Sequence, residues 1–235
     1  MRLLGISDIH GNVEAVGNLR GREDSGFDAV VVAGDIGADA AAEIMDILAS
    51  FACPILYVYG NWDRRLSYDL DFGPTCHHLH LRPVECCGWR FAGISGLPTS
   101  WGLNPIAAAL RQDVNRKYRS APPDNAEFLS AVRKADREAL LLNRSALAAA
   151  LEESNAEPRR TVLVSHERLF GIDRDFPGLF LHLFGHRHGF KMTTHKGTAC
   201  VNVSALDDPT NGDSYTIIEI DGDRIAANAF KVQAR

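Results

Sequence analysis

The sequence predicts an α/β domain, because short β-branched runs alternate with helical segments and several of the runs end in polar residues. The first third shows this most clearly, with apolar runs at residues 3–7, 29–34 and 54–59. Helical segments between runs of this length are typical of parallel βαβ units. We therefore expect one α/β domain that covers residues 1–235.

The predicted helices begin at residues that favour a helix N-terminus. Asn12 precedes the first helix, and Asp39 is the predicted cap of the second. Asn104, followed by a proline, is typical of a cap and first-turn pair, and a long helical stretch covers residues 125–154. These last two helices predict a helical, cap-like insertion over about residues 99–155, in which we expect substrate specificity to be determined.

The remainder of the chain is predicted to form further strands. They are expected at residues 89–97, 161–165, 179–184, 199–205, 215–220 and 224–230. Asp221 and Gly222 separate the last two of these runs and indicate a β-hairpin.

Composition and charge narrow the function classes. The net charge of -5 disfavours a general nucleic-acid binder, because phosphate neutralisation needs a basic surface. No run of about 18 apolar residues is present, so we expect no membrane span. The N-terminus lacks the apolar core of a signal peptide, and the five cysteines lack zinc-type spacing. We therefore expect a cytoplasmic protein with reduced thiols.

Five polar clusters follow β-like runs directly or within a few residues. Their members are Asp8 and His10, Asp35, Asn61, His166, and His186 and His188. Because ligands bind outside the carboxyl ends of strands in open α/β sheets, these clusters are expected to converge on one site. Any one of them alone is typical of an ordinary loop or turn, although two histidines two residues apart are harder to explain structurally. Their combined order and spacing predict a functional site.

The residue types in these clusters favour transition metals. Imidazole and carboxylate groups both donate strongly to divalent transition metals, whereas dedicated Mg²⁺ and Ca²⁺ sites use oxygen ligands. Two aspartates, one asparagine and four histidines are too many ligands for a single ion. The set suits two ions that share one bridging carboxylate and leave a position open for water.

The segments that carry these residues resemble, in order, the signature blocks of the calcineurin-like metallophosphoesterases. The segments are SDIHGN, AGDIG, YGNWD, VSHE and FGHRH, and they extend from residue 7 to residue 188. The resemblance implies two packed mixed β-sheets flanked by helices in a four-layer αββα fold. It also implies a two-metal site at the strand ends, at which a metal-bridging hydroxide attacks phosphorus.

The resemblance also implies a ligand assignment for each ion. The expected ligands of one metal are Asp8, His10 and His188. The expected ligands of the other are Asn61, His166 and His186. Asp35 is expected to bridge the two ions. We favour Mn²⁺, while Fe, Zn²⁺ and Ni²⁺ also suit this ligand set.

Trp62 departs from the family pattern, because most members have histidine at this position. That histidine is thought to protonate the leaving oxygen or to stabilise its developing charge. An indole N–H donates a hydrogen bond but transfers no proton near neutral pH. The catalytic proton donor is therefore unknown, and its loss typically costs about 10²–10⁴ in rate.

Three interpretations of Trp62 remain open. In the first, the substrate is a phosphodiester that needs no such acid. Trp62 is then a stacking platform for a base or aryl group, or it simply packs beneath the metal loop. Alternatively, His77, His78 or His80 supplies a substitute proton donor for a phosphomonoesterase. Finally, the protein is a non-catalytic metal-binding scaffold, like a family member in the retromer coat, although a scaffold would not need all seven ligands.

Several neighbouring residues are candidates for supporting roles. Trp62, Arg64 and Asn12 are predicted to bind substrate, although helix capping is the alternative for Asn12. Asp63 and Glu167 are candidates for orienting the metal ligands.

A metal-dependent phosphodiesterase acting on a small soluble phosphodiester is the function we expect. The insertion shows no basic groove with interleaved aromatic residues, which disfavours duplex nucleic acid as the substrate. It also shows no Lys-rich amphipathic face of the kind that binds membranes. The sequence does not indicate an oligomeric state.

Overall fold

The computed structural model describes residues 1–24, 26–96, 104–122, 124–208 and 210–232. The strands in these ranges are β1 (Arg2–Ile6), β2 (Ala29–Ala33), β3 (Ile55–Val58), β4 (Cys76–His78), β5 (Val84–Cys86), β6 (Trp89–Ile94), β7 (Thr161–Ser165), β8 (Leu181–Phe184), β9 (Lys191–His195), β10 (Thr198–Asn202), β11 (Ser214–Asp221) and β12 (Arg224–Lys231). The helices are α1 (Val13–Arg22), α2 (Ala41–Ala49), α3 (Pro105–Lys117), α4 (Ala126–Glu153) and α5 (Ile172–Asp175).

The strands form two mixed six-stranded sheets. The first has the order β12-β11-β1-β2-β3-β4, and the second has the order β5-β6-β7-β8-β10-β9. The central pairs β1–β2, β2–β3, β6–β7, β7–β8 and β8–β10 are parallel. Their carboxyl ends therefore lie at one edge of each sheet, which is where parallel sheets place ligand sites.

Alternation of the strand side chains creates three hydrophobic layers. In β2, Val30 and Val32 face α1 and α2, whereas Val31 faces the second sheet. In β7, Val162 and Val164 pack between the sheets, while Leu163 packs against α4 and α5. The layers therefore run helix, sheet, sheet, helix, and the predicted α/β class with two packed sheets is confirmed.

Most predicted elements are present, but local details differ. Asp39 does not cap α2: the N-cap is Ala40, which makes no side-chain cap bond, and the Asp39 carboxylate pairs with Arg65 instead. The strands β4, β5 and β9 were not predicted, because each is short or lacks a buried apolar face. The predicted hairpin is present, with Asp221 opposite Arg224 in the β11–β12 pair.

The described residues of the predicted insertion, 104–122 and 124–155, form a helical hairpin that reaches the strand-end edge, while residues 99–103 and 123 lie outside the described ranges. Asn104 caps α3 by accepting a hydrogen bond from the Ala107 amide at 3.1 Å, and it donates to the Ser95 carbonyl just beyond β6. The Asn143 amide of α4 donates to Asn104 Oδ1 at 3.0 Å. Because the C-terminal end of α4 lies near the start of β6, where Arg90 donates to the Ser154 carbonyl, α4 runs antiparallel to that strand. Its N-terminal half therefore extends past the carboxyl end of β6, and closure of the hairpin over the site stays a prediction.

Two further expectations concern cysteines and membranes. All five cysteines are free thiols, and the Cys86 and Cys87 sulfur atoms lie 3.8 Å apart. Within the described ranges, no helix has the length and apolar character needed to cross a membrane.

Candidate metal centre

The seven predicted metal ligands lie in loops that follow the parallel strands. Five of them have backbones in the left-handed region, with φ values from 49° to 68°. These are Asp8, His10, Asp35, His186 and His188. Non-glycine residues in this region each cost about 1 kcal/mol or more, and such strain clusters at functional sites. The loops therefore adopt a strained backbone conformation that places these side chains in the site.

One group of ligand atoms is contributed by Asp8, His10 and His188, and these atoms lie within 4.8 Å of one another. His188 Nε2 lies 3.5 Å from Asp8 Oδ1. The imidazoles of His10 and His188 have ring centroids 5.3 Å apart. These are the three residues expected to bind one ion.

A second group is contributed by Asp8, Asp35, His166 and His186, again with ligand atoms within 4.8 Å. Asn61 adjoins it, because its Oδ1 lies 3.1 Å from His166 Nε2. Asp8 thus takes part in both groups, which the ligand assignment from sequence did not include.

Asp35 belongs to the second group and also lies next to a histidine of the first. Its Oδ2 lies 3.3 Å from His10 Nε2 and 3.2 Å from His166 Nε2. One carboxylate oxygen therefore faces an imidazole of each group, which is the geometry expected of a bridging ligand. The identity of the metal ligands stays a prediction.

The donor set fits divalent metal ions. Metal–nitrogen and metal–oxygen bonds of about 2.0–2.2 Å require ligand atoms of one ion to lie within about 4.4 Å of each other. The ligand atoms of each group lie within 4.8 Å of one another, so a small contraction around an ion would satisfy this limit. In addition, Asp8 Oδ1 is buried and has no hydrogen-bond partner among the described residues, which is costly unless a cation binds there.

The charges in the site are strongly coupled in the protein alone. Burial would raise the pKa of Asp35, but the hydrogen bonds from His10 and His166 hold it well below its ordinary value. Burial would lower the pKa of His166, but the Asp35 carboxylate raises it to about 9. Burial and the neighbouring His166 lower the pKa of His186.

Asp63 connects the loops after β2 and β3. Its Oδ2 accepts hydrogen bonds from the Asp35 amide at 3.0 Å and the Gly60 amide at 2.7 Å. Its Oδ1 accepts from the Gly37 amide at 2.9 Å. Burial raises the pKa of Asp63 to about 6, while the amides of Gly60 and Gly37 oppose that shift. Asp63 therefore orients Asp35 through the backbone rather than by touching a histidine.

The close approach of these loops requires glycine at position 60. A Cβ atom there would lie 2.2 Å from Asp35 Oδ1 and 2.6 Å from the Asp35 amide nitrogen. Asp35 Oδ1 instead accepts a hydrogen bond from the Trp62 amide at 2.8 Å. The segment from Gly60 to Asp63 is thus held against Asp35 by the close approach of Gly60 and by the hydrogen bond from the Trp62 amide.

Trp62 lies at the mouth of the site. Its side chain is 56% exposed, and its ring centroid lies 4.5 Å from that of His10, with an interplanar angle of 30°. An open pocket of about 330 Å³ is lined by Asn61, Trp62, Arg64 and Arg65. The indole therefore packs against His10 on one side and remains largely exposed, and both the stacking and the packing interpretations of Trp62 stay predictions.

Asn12 has a structural role. Its Oδ1 caps α1 by accepting from the Ala15 amide at 3.1 Å, and its Nδ2 donates to the Leu206 carbonyl at 3.0 Å. The amide is engaged at both ends, as the capping alternative for this residue implies.

Asp207 orients a predicted ligand, and the sequence analysis missed it. Its Oδ2 lies 3.0 Å from His10 Nδ1, which directs His10 Nε2 towards Asp35. Carboxylates commonly fix metal-binding histidines in this way. The available signal was the position of Asp207 shortly after the apolar run of β10, in line with the other strand-end clusters.

His78 and His80 belong to a buried aromatic cluster. His78 Nε2 lies 2.7 Å from Ser95 Oγ and its ring stacks on Tyr57, while His80 Nδ1 accepts from the Ser95 amide. Burial lowers the pKa of His78 to about 4 and that of His80 to about 3. Both imidazoles are neutral near pH 7, which disfavours them as substitute proton donors. His77 lies on β4 opposite Leu56, and its role as a donor stays untested.

Glu167 follows His166 directly, and its expected role in orienting a metal ligand stays a prediction. Its carbonyl accepts from Ser165 Oγ at 2.7 Å, and its side chain lines a pocket next to the site. The same Ser165 hydroxyl lies 2.8 Å from the buried His182 Nε2.

We predict that Asp63→Ala lowers the free energy of unfolding of the metal-free protein by at least about 3 kcal/mol, because three buried amides lose their acceptor. The measurement is urea denaturation after chelation. Asp39→Ala is the matched control, since its carboxylate is exposed, and it should change stability by less than about 0.5 kcal/mol. Equal effects of the two changes would contradict the role assigned to Asp63.

The model of the calcineurin-like phosphoesterase superfamily domain matches residues 1–223. No curated protein matches the sequence significantly. Among solved structures, TT1561 of Thermus thermophilus is similar at a TM-score of 0.63 and 16% identity, covering 99% of each chain.

Two other solved structures show lower similarity. A conserved predicted phosphoesterase of Streptococcus pneumoniae TIGR4 has a TM-score of 0.47 and 14% identity, over 98% of this chain and 89% of its own. Phosphopantetheinyl hydrolase of Mycobacterium tuberculosis has a TM-score of 0.48 and 16% identity, over 86% and 88%. The match to the family model carries the assignment, because it spans nearly the whole sequence: the chain belongs to the calcineurin-like phosphoesterase superfamily.

Proposed function

We propose that this protein is a phosphodiesterase that uses two divalent metal ions, with Mn²⁺ as the favoured ion and a small soluble phosphodiester as the substrate. Its family indicates a metal-dependent phosphoric ester hydrolase. The observation that carries the finer proposal is the position of Trp62: an exposed indole lies against His10 where the family usually has a proton donor.

The ligand residues would hold the two ions in the two groups described above. Asp8, His10 and His188 would bind one ion, and His166, His186 and Asn61 the other, with Asp35 facing both. Two such ions supply an activated water molecule and neutralise negative charge on phosphoryl oxygens.

The protein's own contribution is orientation. Asp207 directs the His10 imidazole, and Ala33 provides a carbonyl 2.9 Å from His166 Nδ1, so each of these histidines presents Nε2 to the centre. Asp63 holds the amides of the Asp35 loop. Fixed donor positions of this kind avoid reorganisation during the reaction.

A site that has Trp62 in place of a proton donor suits diesters for two reasons. A diester carries one negative charge, so a nucleophile with negative character is repelled less than by a dianionic monoester. The exposed indole face also provides a platform for a base or aryl group, and such stacking is worth about 1–3 kcal/mol. Arg64 and Arg65, which line the adjoining pocket, place guanidinium groups on the same side.

We expect the protein, stripped of metal and reloaded with Mn²⁺, to hydrolyse bis(p-nitrophenyl) phosphate and a 2′,3′-cyclic nucleotide. The kcat/KM for diesters should exceed that for p-nitrophenyl phosphate by at least about tenfold. Chelated protein serves as the control and should be inactive. Preference for the monoester would contradict the proposal, and binding of metal without turnover of any ester would favour a scaffold instead.

We predict that Trp62→His increases kcat/KM for p-nitrophenyl phosphate by about tenfold or more, because an imidazole restores a proton donor beside His10. Diester turnover should fall or stay constant, since the stacking surface is smaller. Trp62→Phe is the matched control: it keeps an aromatic face but adds no acid, so monoester turnover should not rise. If the two substitutions have the same effect, Trp62 does not occupy a catalytic position.

A further inference from the structure

A second pocket opens beside the metal centre, on the outer face of the second sheet. It has a volume of about 410 Å³. Its lining includes Glu167 and Arg187, and each is the chain neighbour of predicted ligands: Glu167 follows His166, and Arg187 lies between His186 and His188. The pocket therefore adjoins the predicted metal centre, because two of its lining residues are next to predicted ligands in the sequence. It is separate from the pocket beside Trp62.

The pocket has an aromatic wall that is unusually exposed. Phe170 is 69% exposed and Phe190 is 37% exposed, while Phe184 is buried at the base. The Arg168 guanidinium lies 5.3 Å from the Phe170 ring centroid and 6.0 Å from that of Phe184. Exposed aromatic rings beside an apolar base are typical of a surface that binds a planar ring.

The same pocket has an excess of positive charge. Arg168, Arg187 and Lys191 line it, against the single carboxylate of Glu167. The chain as a whole has a net charge of -5, so this local excess of cations is opposite in sign to the rest of the protein. Guanidinium and ammonium groups gathered in a concave site bind phosphate or carboxylate groups.

Asn202 provides a polar group that lacks a partner. Its side chain is 2% exposed and lines the pocket, and its Nδ2 donates to the Gly189 carbonyl. Its Oδ1 is buried and finds no hydrogen-bond partner within the part of the chain that the structure describes. Because Asn202 pairs with Lys191 across β9 and β10, the two side chains lie on the same face of the sheet. An unpaired buried acceptor favours a ligand that carries an N–H group.

From these features we propose that the pocket binds a nucleotide portion of the substrate: a planar heterocycle with N–H donors against the phenylalanines, and a second phosphate against Arg168, Arg187 and Lys191. This inference rests on the proposed function, since the scissile diester would lie at the adjacent metal centre. The substrate class is then a nucleotide diester that carries a phosphate besides the one that is hydrolysed.

The first test measures binding to the metal-free protein, so that it does not depend on hydrolysis. Adenosine 5′-monophosphate contains both the heterocycle and the phosphate, while adenosine and inorganic phosphate each contain one part. By calorimetry, the nucleotide should bind at least about tenfold more tightly than either part alone. Equal affinity for the nucleotide and inorganic phosphate would refute binding of the heterocycle by the phenylalanines. Equal affinity for the nucleotide and adenosine would refute binding of the phosphate by the cationic side chains.

Variants then locate the binding. Lys191→Met keeps the length of the side chain and removes its charge, and Phe190→Leu keeps an apolar side chain and removes the ring. Each should weaken binding of adenosine 5′-monophosphate by about fivefold or more. Arg224→Met, at the exposed β11–β12 hairpin of the other sheet, is the control and should leave binding unchanged. If all three variants bind equally, the ligand does not occupy this pocket.

Hydrolysis separates this inference from the proposed function. With Mn²⁺ restored, a diadenylate bearing a 5′-terminal phosphate should have a KM at least about tenfold lower than the same dinucleotide without it. Lys191→Met should remove most of that difference. Turnover of both dinucleotides with equal KM would refute phosphate binding in the pocket but would support the proposed phosphodiesterase activity. Nucleotide binding to the metal-free protein without any turnover would overturn the phosphodiesterase and retain the pocket.

Discussion

The carboxylate of Asp63 is the interaction on which the site depends. It is buried and accepts hydrogen bonds from the backbone amides of Asp35, Gly37 and Gly60. These hydrogen bonds hold together the loops after two neighbouring strands. Asp35 is then fixed in a left-handed backbone conformation, with Oδ1 bound to the Trp62 amide and Oδ2 facing both histidine groups. Without this carboxylate, Asp35, the predicted bridging ligand, would lose its orientation.

The surrounding fold compensates for a site that is costly to build. Five left-handed residues and an Asp8 oxygen that has no hydrogen-bond partner among the described residues oppose folding, because strain and desolvation both carry a penalty. Three hydrophobic layers on two sheets provide the stabilisation that tolerates them. Metal ions that bind the native state would add stability in the same way as any ligand. This division of labour is common in enzymes, in which strain is concentrated at the functional site.

Much of the architecture could be predicted, because it follows from short-range patterns. The apolar runs of β1, β2, β3 and β7 ended directly before the polar clusters, and the strand ends of parallel sheets converge. Asp207 and the dual position of Asp8 could not be predicted, since they depend on contacts across about 200 and 180 residues of sequence. The Asp39 cap failed because α2 begins one residue later than expected, with Ala40 as its N-cap, and the Asp39 carboxylate pairs with Arg65 instead. The pocket beside His186 was also missed, because its residues come from three strands and two loops.

The number of metal ions bound per chain tests the central claim most directly. Metal-free protein would be dialysed against Mn²⁺ and analysed by elemental analysis together with electron paramagnetic resonance. The account predicts two ions per chain with magnetic coupling between them, because Asp35 faces both ligand groups. One uncoupled ion per chain, or none, would contradict the two-metal centre.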